Sequence, residues 1–209
     1  MTPRPRATSD RDILDATQRV VSRLGPNLTL ADVAAEAGVS PATLVQRFGS
    51  KRGLLLAFAS AGSDDLGGHF ARIRAAQKSP LAAVFEVGRC VAAMAETPEM
   101  LSNSLAFLQM DLVDPDFHKH ALVHARAMQA GIKGLLDEAV RGGELRRCDT
   151  ARLARAVQAL IGGSMLQWAI DRSGKVAERL TEDLDSLLRP RHCPPRERRR
   201  HPRPKVTRV

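Results

Sequence analysis

Residues 28–51 read LTLADVAAEAGVSPATLVQRFGSK. Two short helical patterns meet here at a single glycine. Thr29 can cap the first, with Asp32 three residues on in a variant of the capping box. That helix covers about residues 30 to 37 and ends at Gly38, which can take the left-handed conformation a tight turn needs. Ser40 is a natural N-cap for the next helix, and Pro41 suits its first position, where a missing N–H costs nothing. The second helix runs to about Phe48, and Gly49 and Ser50 break it. A helix, a short turn containing Gly and a second helix make a helix-turn-helix, here over about residues 30 to 49.

That geometry projects its second helix, and the DNA major groove is about wide enough for one. Val33, Ala34, Val39, Leu44 and Phe48 are placed to pack the motif, and Ala34 and Ala37 are small enough for a close crossing. Ala42, Thr43, Gln46 and Arg47 fall on the outer face of the second helix. Gln can pair with adenine, Arg with guanine or phosphate, and the methyl groups of Ala and Thr can touch thymine. Thr29 and Lys51 stand at helix starts, which are ready anion sites, and so are candidate phosphate contacts, and Ser40 joins the candidate DNA-binding residues. The same spacing occurs in helical hairpins with a solvated face, so the motif alone leaves that alternative open.

Working outward, Ile13, Leu14, Thr17, Val20, Val21 and Leu24 recur at three- and four-residue spacing and predict a helix from Asp10, stopped by Gly25 and Pro26. Residues 1–9, with two prolines, read as a flexible arm carrying Arg4 and Arg6. A fourth helix begins near Lys51 and is expected to reach about residue 75. Further helices are expected over about 80–96, 99–110, 116–141, 149–172 and 175–188. Pro80, Pro98 and Pro115 stand where helix starts would put them. No alternating strand pattern and no repeat appears. The expected fold class is all-α, with an N-terminal three-helix DNA-binding domain and a larger helical C-terminal domain.

Composition agrees. Aromatics are 3% with no Tyr, so the core draws on Leu, Ala, Val and Ile, which favours helices. The net charge of +9 is local: residues 189 to 209 hold nine Lys or Arg against one Glu, leaving residues 1–188 near +1. This tail, with five prolines, cannot bury a core and is expected to be disordered. Three scattered cysteines without a CxxC pair fit a reducing cytoplasm rather than a disulfide framework. No apolar run has signal-peptide or membrane-span length, so a cytoplasmic protein without a membrane partner is expected. There is no GxSxG elbow, phosphate-cradling Gly loop or HExxH, hence no catalytic residue, no cofactor and no enzyme assignment.

Residues 13–58 resemble the N-terminal domain of the TetR family of transcriptional regulators. The likeness spans ILDATQRVVSRLG, LTLADVAAEAGVSPATLVQRF and GSKRGLLLAF in the family's order and nearly its spacing. Its specific part runs from Ala34 through Gly38-Val39-Ser40 to Phe48, then Ser50-Lys51 and Leu54-Leu55. The resemblance implies a homodimeric repressor, bound to double-stranded DNA at a palindromic operator and released by a small molecule held in the C-terminal domain. It also implies base contact at Gln46 and phosphate contact at Arg47. Val45 departs from the pattern, since the family usually has an aromatic there that commonly meets a phosphate; Arg47 and the arm residues Arg4 and Arg6 could offset that loss.

Domain bounds of 10–58 and 59–188 follow, with the arm at 1–9 and the tail at 189–209. The resemblance implies that the last two helices bundle with those of a partner; Leu153, Val157, Leu160 and Ile161 form one apolar stripe, Leu184 and Leu187 part of another. Either stripe could instead pack within its own chain. An effector pocket is expected among Phe85, Met94, Phe107, Met110, Met128 and Trp168, with Met100 and Phe117 nearby; Met and Phe suit a deformable apolar pocket and an apolar or amphipathic ligand, and are equally ordinary in a core. His120 and His124 share a helix face near Asp114 and Asp116, but lack a nearby cysteine, and no metal is assigned. The competing reading is a nucleoid-type DNA-compacting protein, which the basic tail would serve by neutralising phosphate without reading sequence.

Overall fold

The structure, a computed structural model, describes residues 8–193. Ten α-helices follow one another: α1 Asp10–Leu24, α2 Leu30–Ala37, α3 Pro41–Phe48, α4 Lys51–Asp64, α5 Leu66–Ala76, α6 Pro80–Ala93, α7 Pro98–Val113, α8 Pro115–Arg141, α9 Thr150–Asp171 and α10 Val176–Leu188. Most start on a side-chain cap. Ser9, Thr29, Ser40, Ser79, Thr97, Asp114 and Asp149 each accept a backbone N–H in the first turn, and Pro follows at the first or second position of α3, α6, α7 and α8. Among the described residues no strand forms.

Two apolar cores result. The first gathers Ile13 and Val20 of α1, Val33 of α2, Leu44 of α3 and Leu54 of α4. The second joins α5, α6, α8, α9 and α10 around residues such as Val84, Ile132, Leu136, Val157 and Leu184. The long α8 serves both, because Phe117 near its start is buried in the first core while Ile132 and Leu136 lie in the second.

Helix α7 also ties the two parts. Asn103 Nδ2 donates to the carbonyls of Ser22 at 3.1 Å and Arg23 at 3.0 Å, capping the end of α1. Gly25 makes that approach possible: with φ 59°, ψ −146° its backbone suits glycine alone, and an added Cβ would lie 2.6 Å from Asn103 Oδ1. At the other end, Arg52 of α4 reaches Asp114 at 2.8 Å and Asp116 at 3.1 Å, its guanidinium 5.4 Å from the Phe117 ring centre.

Two expectations need correction. The single helix expected over 51–75 is two, parted at Asp65, where ψ is 5°. Asp65 turns its carboxylate to Arg72 at 2.8 Å, and Gly67 and Gly68 follow, so little propensity holds the chain helical there. Nor does the tail depart at Arg189. Residues 189–191 form a 3-10 turn, His192 bridges Leu145, and Arg146 and Cys193 exchange backbone bonds with Arg191 and Glu144 at 2.7 and 3.0 Å. Residues 194–209 lie outside the described residues.

Candidate nucleic-acid interface

The helix-turn-helix is held by its own backbone chemistry. At α2, Thr29 Oγ1 accepts from Asp32 N–H at 3.2 Å while the Thr29 N–H and hydroxyl both donate to Asp32 Oδ2 at 2.7 Å. The Thr29 hydroxyl and then its N–H stabilise the ionised carboxyl, holding the Asp32 pKa below its ordinary value. The turn closes at Gly38, with φ 67°, whose N–H and that of Val39 bond to Ala35 and Ala34. Ser40 Oγ then accepts from Thr43 N–H at 3.1 Å and opens α3. Packing completes the mount: Leu44 is fully buried against Val33, Ala34 and Leu54 in the first core.

What remains outward on α3 is Ala42, Val45, Gln46 and Arg47, all exposed, with Val45 48% exposed. An aliphatic side chain held that open by a rigid helix offers methyl groups to a partner rather than to the core. Gln46 stands beside it, its side chain likewise exposed. Thr43 is half-buried and shares its hydroxyl with Ser40 at 2.9 Å.

The cations are less free than their sequence positions imply. Arg47 Nη1 donates to the Thr8 carbonyl at 2.7 Å and to Asp10 Oδ1 at 3.2 Å, tying the start of α1 to the end of α3. Lys51 Nζ donates to Pro26 O at 2.8 Å, bracing the α1–α2 turn with one of its three N–H groups. At the start of α2, Thr29 takes up the N–H groups of Asp32 and Val33, which leaves those of Leu30 and Ala31 for water or phosphate. Arg4 and Arg6 lie outside the described residues. Arg19 and Arg23 of α1 bind Glu36 of α2 at 2.7 and 3.4 Å; the Arg19 hydrogen bond is the main reason the Glu36 pKa is depressed.

The other expected side chains are dispersed. Phe107 and Met110 pack on the first core, Phe85 and Met128 on the second, and Trp168 is buried in the second with its Nε1–H donated to Gly174 O at 3.1 Å. Met94 is 54% exposed at the end of α6. Leu153, Val157, Ile161 and Leu184 are buried in the chain's own second core, with Leu160 and Leu187 packed against it. Asp114 and Asp116 are engaged by Arg52, and among the described residues no three His, Cys, Asp or Glu groups converge as a metal site would require. The coupling residues Arg52, Asn103 and Phe117 carried no local signal of that role, since each acts across more than 60 residues of chain.

This arrangement has counterparts. Residues 13–58 match the family of bacterial regulatory proteins of the tetR type, and residues 65–190 match the C-terminal domain of BetI-type transcriptional repressors. Among solved structures, a TetR transcription regulator from Haloarcula marismortui is 17% identical, with a TM-score of 0.67 over 88% of this chain and 97% of that one. A transcriptional regulator from Streptomyces coelicolor is 21% identical, with a TM-score of 0.64 over 86% and 98%. A protein from Saccharomonospora viridis, described as a transcriptional regulator and solved with choline, is 20% identical, with a TM-score of 0.66 over 87% and 95%. At such identities these structures share the fold. No curated protein matches.

Proposed function

We propose, for a chain that belongs to the tetR family of bacterial regulatory proteins, that this DNA-binding regulator is a homodimeric repressor released from a palindromic operator by a small molecule. The observation that carries the reading is the outer face of α3: Ala42, Val45 and Gln46 stand exposed on a helix capped at its start and buried at Leu44. Methyl groups and one carboxamide suit thymine and adenine, so the half-site should centre on A·T pairs. Arg47 holds the entry of the N-terminal arm, and Lys51 keeps two N–H groups for phosphate.

The dimer is assigned to the face of α9 that the chain leaves uncovered. Ala159, Gly162, Gly163, Leu166 and Ile170 are exposed at helical spacing, and a Cβ at either glycine would meet nothing within 4 Å. A second copy meeting this stripe about a two-fold axis buries the same patch twice. A two-fold dimer reads a palindrome when its two α3 helices lie roughly 34 Å apart, one turn of DNA, and the operator is read as such a palindrome.

The effector is read as apolar or amphipathic. The choline of the Saccharomonospora viridis protein is not carried over, since at 20% identity that structure shares the fold alone. A cytoplasmic location belongs to the same reading; no described helix is long and apolar enough to cross a membrane.

The test is selection of genomic DNA fragments at near-physiological salt by the native protein and by Gln46→Ala. Enrichment of a short A·T-centred palindrome, lost in the variant, is expected. Equal recovery of all fragments would replace the repressor with a DNA-compacting protein.

A further inference from the structure

One side of α1, at the margin of the first core, is not simply solvated. Arg11, Leu14, Asp15, Gln18, Arg19 and Ser22 fall at three- and four-residue spacing and form one wall of an open cleft of about 560 Å³. The opposite wall comes from Phe58, Ala61 and Gly62 of α4 and from Ala93, Met94 and Met100 around the α6–α7 junction. A volume of that size, placed between two domains, is within the range of small-molecule sites.

The two walls differ in chemistry. The α4 and α6–α7 side is apolar, and Met94 stands 54% exposed there. Ala61, Gly62 and Ala93 are small, and a Cβ built on Gly62 meets nothing within 4 Å. The α1 side carries two guanidinium groups, each paired with one carboxylate through a single nitrogen. Arg11 shares only its Nε with Asp15 at 3.2 Å, and Arg19 binds Glu36 through Nε at 2.7 Å. Each guanidinium has five N–H donors, so both keep donors for a further anion, and Gln18 lines the same wall with its Nε2 donated to Ser22 Oγ at 3.3 Å.

We propose that this cleft is a binding site for an amphipathic anion, with its apolar body against Phe58, Met94 and Met100 and its carboxylate on Arg11 and Arg19. The consequence for DNA rests on the regulator reading. The helices α1 and α4, both packed in the first core, meet the α6–α7 junction across the cleft, and α7 is the helix whose Asn103 caps the end of α1. A ligand wedged between them shifts α1 against that cap and with it the setting of α3.

The test is calorimetric titration of the full chain with decanoate, decyltrimethylammonium and decanol, each below its aggregation threshold. Decanoate should bind saturably, and decyltrimethylammonium at least about tenfold more weakly, since it forgoes a charge-assisted hydrogen bond. Gly62→Leu fills the cleft from a helical position with open space around it, so it should abolish decanoate binding while keeping the native circular dichroism and an unchanged or higher Tm. Arg11→Gln should weaken decanoate about tenfold and leave decanol unaffected. Native decanoate binding by Gly62→Leu, tighter binding of the cation, or no saturable binding would each overturn the site. Operator selection is read separately by fragment enrichment: a selected palindrome without decanoate binding removes the cleft site alone, and decanoate binding without selection upholds the cleft and removes the regulator.

Discussion

Phe117→Ala takes away the ring that α8 places in the core of the DNA-binding helices. The ring is 3% exposed, clustered with residues such as Leu44, Leu54 and Leu55, and covered on one side by the Arg52 guanidinium at 5.4 Å. Deleting a buried Phe ring costs its transfer free energy plus the cavity it leaves, about 4 kcal/mol. In a chain of this length that lowers Tm by roughly 10 °C. The loss should also fall unevenly. The second core keeps Ile132, Leu136 and Val157, so the first should melt earlier and turn a single unfolding transition into two. Differential scanning calorimetry of native protein, Phe117→Ala and Phe117→Leu measures both effects, with the Leu variant intermediate because it refills most of the cavity. A Phe117→Ala loss below about 1 kcal/mol would mean that the ring contributes little to that core, and that α8 does not fasten the DNA-binding helices.

Gly38→Ala isolates a backbone cost, because the added Cβ meets no neighbour while φ is 67°; thermal unfolding should show a loss of about 1–2 kcal/mol, whereas Gly25→Ala, which also strikes Asn103, should lose more. Ile170→Glu places a charge in the proposed partner face of α9 without touching the chain's own core, and sedimentation should show a folded monomer where the native protein is a dimer. Burial pushes the Asp111 carboxyl pKa up, while His124 and then His118 pull it down. Raised in the fold, the group carries a penalty that is absent below the unfolded carboxyl value of about 4 and grows as pH rises above it. Asp111→Asn should therefore raise Tm near neutral pH, with the gain fading in melts run at progressively lower pH.

The helix-turn-helix was legible because its signals are local. Thr29 with Asp32, the left-handed Gly38, and Ser40 with Pro41 each act within four residues, and the structure shows those caps in place. The break at Asp65 was less legible, since the apolar spacing of α4 runs on while only two acidic residues and a pair of glycines argue against helix. The α9 stripe shows another limit. Periodicity identifies Leu153, Val157 and Ile161 as one buried face, but cannot say whether the chain or a second copy buries it; here the chain does. Lys51 reads as a phosphate contact from position and Arg47 from the family resemblance, yet their acceptors here include Thr8 O for Arg47 and Pro26 O for Lys51, which folding brings within reach.

The order and type of the helices, and the turn that presents α3, were thus determined by sequence, because caps, prolines and a glycine with positive φ are satisfied by their near neighbours. Tertiary structure decided which apolar faces stay uncovered, where α7 and α8 grip the DNA-binding helices, and what the outer face of α1 opens onto. Those outcomes depend on pairs such as Asn103 with Ser22 and Arg52 with Asp114, whose partners lie 81 and 62 residues apart. No local pattern encodes such a pairing; only packing the two cores at once selects it.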